Sequence, residues 1–127
     1  MSQNFCNFAD VNVKTYKEVS AMDTPKILGK DEAIDLVRRY KEVIAPRFDS
    51  NTKVLMFGSY SKGEPHEWSD IDVAVIVPKI ADGKWLEWST SLWHDVKQVS
   101  LLIEPVLLEQ NDPSPLYRDV MRNGVLV

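Results

Sequence analysis

The sequence has little of several features that mark particular classes of protein. It contains one cysteine in 127 residues, Cys6, so no disulfide can form within the chain, and this usage is typical of a reducing compartment. No apolar run approaches the roughly 20 residues that a membrane-spanning helix requires. The opening residues lack the basic and apolar segments of a secretory signal peptide. We therefore expect a cytoplasmic protein that does not engage a membrane.

The sequence also lacks an excess of basic residues. Its 15 Lys and Arg are outnumbered by 19 Asp and Glu, which gives a formal net charge of -4. Proteins that bind long nucleic acids usually present a basic face that replaces counterions along the phosphates. The balance argues against long DNA or RNA as a partner, whereas nucleotides remain compatible because bound metal ions can neutralise their phosphates.

The chain is expected to hold a single domain behind a short extension. Its length and its 44% hydrophobic content suffice for one compact core and not for two. Residues 1–29 are treated as an N-terminal extension of unassigned function, because the pattern near residues 11–15 fits a short strand and a weak helix equally well. Residues 30–127 are expected to form the domain.

From residue 30 onward, helical and extended patterns alternate. A stripe of apolar residues at helical spacing predicts a helix from Lys30 to Ile44, and Pro46 marks its end. Short apolar runs closed by Gly58 and Pro78 are typical of buried strands. The predicted elements are helix 30–44, strand 53–57, strand 70–77, helix 82–100, strand 101–108 and helix 116–123. This order predicts an α/β (α+β) fold, a small mixed β-sheet with flanking helices.

The second predicted helix carries three tryptophans. Trp85 and Trp88 share one face with Leu92, and we assign both tryptophans to the core. Trp93 lies to the side of that face, so it could belong either to the core or to a contact with a partner, where aromatic residues are enriched.

Two acids, Asp70 and Asp72, open the second predicted strand. Residues two apart on a strand point to the same side, so like charges there disfavour each other unless a cation neutralises them. Mg²⁺ prefers hard carboxylate oxygens and shares them with substrate phosphates. An isolated Asp-x-Asp is more often a solvated pair at the start of a strand. Whether this pair binds a metal ion must therefore be judged from the neighbouring residues.

Gly58 and Ser59 directly follow the first predicted strand. A glycine there permits a sharp turn that lets a phosphate approach the backbone, and Ser59 offers a hydroxyl and an amide to an anion. Alternatively, Ser59 caps the turn and binds no anion. Because the aspartates follow after ten intervening residues, the pair predicts a phosphate site beside a metal site.

Glu104 is a lone acid inside the apolar run of the third predicted strand, and an unpaired buried carboxylate is costly. If this strand lies beside the strand that follows Asp70, Glu104 completes a three-carboxylate cluster able to hold two metal ions. Alternatively, Glu104 faces water at a sheet edge, where the following Pro105 is tolerated. We favour the cluster.

The segment FGSYSKGEPHEWSDIDVAVIV, from Phe57 to Val77, resembles the nucleotidyltransferase superfamily typified by DNA polymerase β. More narrowly, it resembles the minimal nucleotidyltransferase (MNT) family, which is recognised by Gly-Ser and Asp-x-Asp at the spacing found here. The coarse resemblance covers residues 31–127. Two positions differ from the common pattern, since Lys62 stands where Arg is frequent and Glu104 where the third acid is commonly Asp.

The resemblance implies Mg²⁺-dependent transfer of a nucleoside monophosphate from an NTP, with ATP favoured, to a hydroxyl acceptor. It implies two metal ions, which polarise the α-phosphate and neutralise the leaving pyrophosphate. The catalytic and metal-binding residues would be Asp70, Asp72 and Glu104, and the phosphate-binding residues Gly58, Ser59 and Lys62.

The resemblance also suggests a partner. Many minimal nucleotidyltransferases are paired with a small helical HEPN protein in toxin–antitoxin modules, and some transfer AMP to that partner. We expect such a partner here, or a second copy of the chain in a homo-oligomer, because the short chain leaves little room for a base-recognition domain. The alternative is a non-catalytic antitoxin that neutralises a helical partner by contact alone. Transfer to a small molecule such as an aminoglycoside is disfavoured, since enzymes of that kind usually carry an additional helical domain.

Overall fold

The computed structural model describes residues 28–63 and 70–127. The helices and strands found there are α1 (Lys30–Ile44), β1 (Lys53–Phe57), β2 (Ile71–Val77), α2 (Trp85–Asp95), β3 (Ile103–Glu109), α3 (Pro115–Asn123) and β4 (Val125–Leu126), with 3₁₀ turns after α1 (Ala45–Arg47) and after α2 (Val96–Gln98). The predicted α/β class is confirmed, and the alternatives for residues 11–15 fall outside the described part of the chain. None of the helices in the described ranges is long and apolar enough to cross a membrane.

α1 and β1 have the bounds that the sequence predicts, because each has a clear local signal. Gly29 precedes α1 in an extended conformation, and its N–H donates to the Glu32 carboxylate at 2.8 Å, which closes the first turn. The buried stripe of α1 consists of Ala33, Val37, Tyr40 and Ile44. β1 is a short run whose three central residues are buried, and it ends at Gly58 as expected.

The second helix is shorter than predicted, and the third strand starts later. α2 begins only at Trp85 because the turn before it contains Gly83 in the left-handed conformation, with φ of 72°. Before β3, the Ser100 hydroxyl accepts the Leu102 N–H at 3.1 Å, and the Ser100 carbonyl accepts the Ile103 N–H at 3.3 Å. This turn uses residues that the apolar pattern had assigned to the strand.

The four strands form one mixed sheet in the order β3-β2-β1-β4. β1 pairs antiparallel with β2 and with the two-residue β4, whereas β2 and β3 run parallel. The chain crosses from β2 to β3 through α2, since a parallel pair requires a long connection. Two registers matter for function, Phe57 opposite Asp72 across β1 and β2, and Asp72 beside Glu104 across β2 and β3.

Each face of the sheet has its own apolar core. One core joins residues of α1 and α2 to the odd-numbered residues of β2. The other core, on the face that α3 covers, consists of Leu55, Ala74, Ile76, Leu108 and Val120. Because side chains alternate along a strand, Asp72 belongs to this second face. α3 packs against the later part of β2, so Asp72 lies at the less covered start of the strand.

The tryptophans of α2 only partly follow the prediction. Trp88 is half-buried and meets the ring of Phe48 edge-on, with 5.7 Å between the ring centroids. Trp85 is 55% exposed, so its assignment to the core is wrong. It begins α2 beside a surface groove lined by Ile80 and Leu107, instead of packing beneath the helix. Trp93 is 49% exposed, which places it on the surface of α2.

Candidate active site

The starts of β2 and β3 bring three acids to one end of the sheet. Glu104 lies directly beside Asp72 in the parallel register, so both side chains occupy the face that α3 covers further along the strands. Asp70 immediately precedes β2 and, two residues before Asp72, points to the same side. The structure therefore places Glu104 beside the strand of the two aspartates, as the cluster interpretation requires.

β3 is an edge strand of the described sheet, yet its proline does not disturb the contact between Glu104 and β2. The Ile71 N–H donates to the Leu102 carbonyl at 2.7 Å. The backbone N–H and C=O of one strand residue point to the same side. The backbone groups of the even-numbered residues of β3 therefore point toward β2, and those of the odd-numbered residues point to the free edge of the sheet. The missing N–H of Pro105 is therefore at the free edge, where it costs no ladder bond.

The neighbouring acids raise the pKa values of Glu104 and Asp72. A hydrogen bond between its carboxyl group and Asp70, together with burial and the charges of Asp70 and Asp72, raises the pKa of Glu104 to about 7. Burial, and after it the charge of Asp70, also raises the pKa of Asp72. Three ionised carboxylates placed in this way repel one another, and a divalent cation would relieve that repulsion.

The donor set suits a hard divalent cation, since it consists only of carboxylate oxygens. Across residues 28–63 and 70–127, however, no three Asp, Glu, His or Cys side chains are already gathered into a group that could hold a metal ion. A cation would have to draw the carboxylates of Asp70, Asp72 and Glu104 together. The two-metal site therefore stays a prediction.

A tight turn follows β1 and lies next to the acids. Gly58 has φ of 76°, and its carbonyl accepts hydrogen bonds from the Lys62 N–H at 3.2 Å and the Ser61 hydroxyl at 3.0 Å. Tyr60 is buried in the core and anchors the turn, whereas Ser59 is half-buried and Lys62 is exposed. Within the described ranges, no backbone hydrogen bond uses the amides of the three residues after Gly58. Such a turn can offer N–H donors to an anion.

A glycine is needed at position 58 for a second reason, the closeness of the Asp72 carboxylate, which the sequence does not reveal. A Cβ added to Gly58 would lie 3.1 Å from Cγ of Asp72 and closer still to one oxygen of that carboxylate. This close approach follows from the antiparallel register, which puts Phe57 opposite Asp72. The sequence predicts Gly58 as a residue that a phosphate approaches, and the structure adds that it makes room for a predicted metal ligand.

The raised pKa of Glu104 predicts how stability depends on pH when no divalent cation is present. The folded protein keeps this proton up to a pH of about 7, whereas the unfolded chain releases it near 4.5, so the folded state binds more protons in between. The free energy of unfolding should therefore fall as the pH rises from 4.5 to about 7. Melting temperatures measured in EDTA across this range should show the decline.

Glu104→Gln cannot ionise at this position and should flatten the pH dependence of the melting temperature. The matched variant Glu42→Gln, at an exposed position of α1, should leave that dependence unchanged. Mg²⁺ should raise the melting temperature more at about pH 7.5 than at about pH 5, because it binds the ionised carboxylates. Equal slopes in wild type and Glu104→Gln would show that another group is responsible.

Known proteins match the part of the chain that contains these elements. The family model described as "Nucleotidyltransferase domain" matches residues 37–112, which include the turn after β1 and the strands that carry the acids. A curated relative from Methanocaldococcus jannaschii, named "Putative protein adenylyltransferase", is 26% identical over 98 residues. That match covers 76% of this chain and 99% of the relative.

Two solved structures are similar to the chain to different degrees. A "putative nucleotidyltransferase" from Sulfolobus solfataricus has a TM-score of 0.56 at 19% identity, over 76% of this chain and 80% of that one. A toxin–antitoxin complex solved with AMP-PNP has a TM-score of 0.42 at 24% identity, over 78% of this chain and 72% of that one. The first similarity shows the fold, and the second is too low to carry further argument.

Proposed function

Because the chain belongs to the nucleotidyltransferase domain family, we propose that it transfers a nucleoside monophosphate, with AMP from ATP favoured, to an acceptor hydroxyl. The observation that carries the proposal is that three parts of the site lie side by side across three neighbouring strands. These parts are the Gly58 turn after β1, Asp72 on β2 and Glu104 on β3. An anion-binding turn directly beside carboxylates is what a triphosphate with its metal ions requires.

The turn would bind the triphosphate. Ser59 and the amides that follow Gly58 would donate to the terminal phosphate oxygens, and Lys62 at the exposed end of the turn would add a positive charge. Since Tyr60 anchors the turn in the core, these donors are held in place before the substrate arrives, which lowers the entropic cost of binding.

The acids would act on the reacting phosphate. Asp70, Asp72 and Glu104 would hold two Mg²⁺ ions, and ions bound in this way polarise the α-phosphate and neutralise the leaving pyrophosphate. The acceptor oxygen forms a bond to the α-phosphorus while the bond from that phosphorus to the pyrophosphate oxygen breaks. Glu104 is on β3 and therefore lies on the far side of β2 from the turn that would bind the triphosphate. We assign the acceptor to that side. As an ionised carboxylate on that side, Glu104 would also take the proton of the acceptor hydroxyl.

We propose a protein as the acceptor. The relative from Methanocaldococcus jannaschii is named "Putative protein adenylyltransferase". Many of the minimal nucleotidyltransferases that this sequence resembles are paired with helical HEPN proteins. The described part of the chain adds only three helices to its sheet, which leaves little to enclose an acceptor. A partner would complete the site, and the exposed Trp93 is available for such a contact.

The proposal predicts a specific product. Purified protein incubated with a candidate helical partner, Mg²⁺ and each NTP in turn should add the mass of one or more nucleoside monophosphates to that partner. Intact-protein mass spectrometry measures this addition, and ATP should give the largest yield. EDTA should abolish it. An unmodified partner with all four NTPs, in a mixture where the two proteins form a complex, would contradict transfer to that partner.

A non-catalytic antitoxin is the second candidate. One observation favours it, since Trp93 is 49% exposed on α2 and offers an aromatic contact to a partner that does not involve the three acids. The two functions differ in what they require of Asp72. An Asp72→Ala protein that still neutralises its partner in cells would favour binding alone. Lost neutralisation with retained complex formation would favour chemistry.

A further inference from the structure

We infer that Ser61 is a positioning residue for the triphosphate site, because its hydroxyl holds the Gly58 carbonyl and thereby fixes the turn that binds phosphate. The inference rests on the proposed function. It adds a residue that lies outside the Gly-Ser and Asp-x-Asp motifs. Ser61 would act through Gly58 and not by touching the substrate itself.

The turn is closed by two hydrogen bonds to one oxygen. The Ser61 hydroxyl donates to the Gly58 carbonyl at 3.0 Å, and the Lys62 N–H donates to the same oxygen at 3.2 Å. Both bonds act on the residue that has the left-handed conformation, with φ of 76°. Ser61 is half-buried, so its bond is partly shielded from water and correspondingly stronger. Loss of this bond would leave the Gly58 carbonyl with the Lys62 N–H as its one remaining hydrogen-bond donor among the described residues.

Gly58 lies between the phosphate-binding turn and the carboxylates of the proposed site. A Cβ at this position would press against the Asp72 carboxylate, and the three amides that follow have no backbone partner among the described residues. A serine hydroxyl that donates to a carbonyl has no second proton for a phosphate oxygen. Ser61 can therefore order the amides of the turn, but it supplies no group that reacts.

Ser61→Ala should weaken the binding of Mg·ATP by about 3- to 10-fold, the usual effect of one partly shielded hydrogen bond. Mg²⁺ with inorganic triphosphate should lose the same factor, because only the phosphate turn is affected. Ser61→Thr keeps the hydroxyl and should bind within about twofold of wild type. In turnover, Ser61→Ala should raise KM by a similar factor and leave kcat within about twofold.

Ser91→Ala is the matched control. Ser91 is also half-buried, and its hydroxyl likewise donates to the carbonyl three residues back, that of Trp88, at 2.8 Å. This serine lies on α2 and belongs to no part of the proposed site. Ser91→Ala should therefore lower the melting temperature by an amount comparable to Ser61→Ala, yet bind both ligands as wild type does.

Isothermal titration of the full chain with Mg·ATP and with Mg·triphosphate separates the outcomes. Wild-type affinity in Ser61→Ala, failure of Ser61→Thr to restore binding, or an equal loss in Ser91→Ala would each overturn the inference. Wild-type protein that binds neither ligand would overturn the proposed function, and this inference with it. The expected pattern is a loss in Ser61→Ala alone.

Discussion

Asp72→Asn is expected to reduce nucleotidyl transfer at saturating NTP and Mg²⁺ by at least about a thousandfold, the effect of losing roughly 4 kcal/mol of metal-mediated stabilisation. Asp72 lies at the centre of the proposed site, opposite Phe57 and beside Glu104. Asparagine has nearly the same shape, but its neutral amide cannot supply the charge that Mg²⁺ requires. Initial rates of labelled-product formation measure the effect.

Stability distinguishes a loss of function in Asp72→Asn from a loss of fold. Because burial and the charge of Asp70 raise the pKa of Asp72, the ionised form is disfavoured in metal-free protein. Asp72→Asn should therefore melt at or above the wild-type temperature in EDTA, and Mg²⁺ should stabilise only wild type. Asp82→Asn, at an exposed residue before α2, is the control and should keep full activity. A rate for Asp72→Asn within about tenfold of wild type would contradict the assigned role.

Gly58→Ala should lower the transfer rate by about a hundredfold or more and also destabilise the fold. The free energy of unfolding should fall by about 1–2 kcal/mol, because an alanine is strained in the left-handed conformation. Its methyl group would also collide with the Asp72 carboxylate. Displacement of a catalytic group by about 1 Å is enough to cost two orders of magnitude in rate.

Gly83→Ala separates these two effects. Gly83 has φ of 72°, and among the described residues no atom beyond its two chain neighbours lies within 4 Å of an added Cβ, so this variant has the backbone strain without the collision. It should lose a similar free energy of unfolding and keep the wild-type rate. Denaturant titrations and rate measurements on the same preparations make the comparison. Equal activity in the two variants would mean that the contact between Gly58 and Asp72 has no functional role.

The fold could be predicted from the sequence where the signal is local. α1 has a continuous apolar stripe, and β1 is a short apolar run that ends at Gly58. α2 carries tryptophan and leucine on several sides, so its pattern did not show that Trp85 faces solvent. β4 depends on tertiary contacts. The Val127 N–H donates to the Val54 carbonyl at 2.9 Å, and the Lys41 ammonium donates to the Val127 carbonyl at 2.8 Å.

The candidate site could be predicted as a set of residues but not as an arrangement. The spacing of Asp70 and Asp72 shows that they share a side, whereas the register that puts Glu104 beside them depends on a long connection through α2. The close approach of Gly58 to Asp72 depends on the antiparallel register of β1 and β2. Ser61 has no distinctive sequence signal, because its hydrogen bond exists only in the folded turn.

The central claim is that the three acids and the Gly58 turn carry out nucleotidyl transfer, and two labels in ATP test it most directly. Parallel reactions with Mg²⁺ and the acceptor would contain ATP labelled at the α-phosphate or at the γ-phosphate. We predict that the α-label becomes covalently attached to the acceptor and that the γ-label is released as pyrophosphate. Both results should disappear in EDTA and with Asp72→Asn. Attachment of the γ-label, or undiminished attachment of the α-label with Asp72→Asn, would contradict the claim.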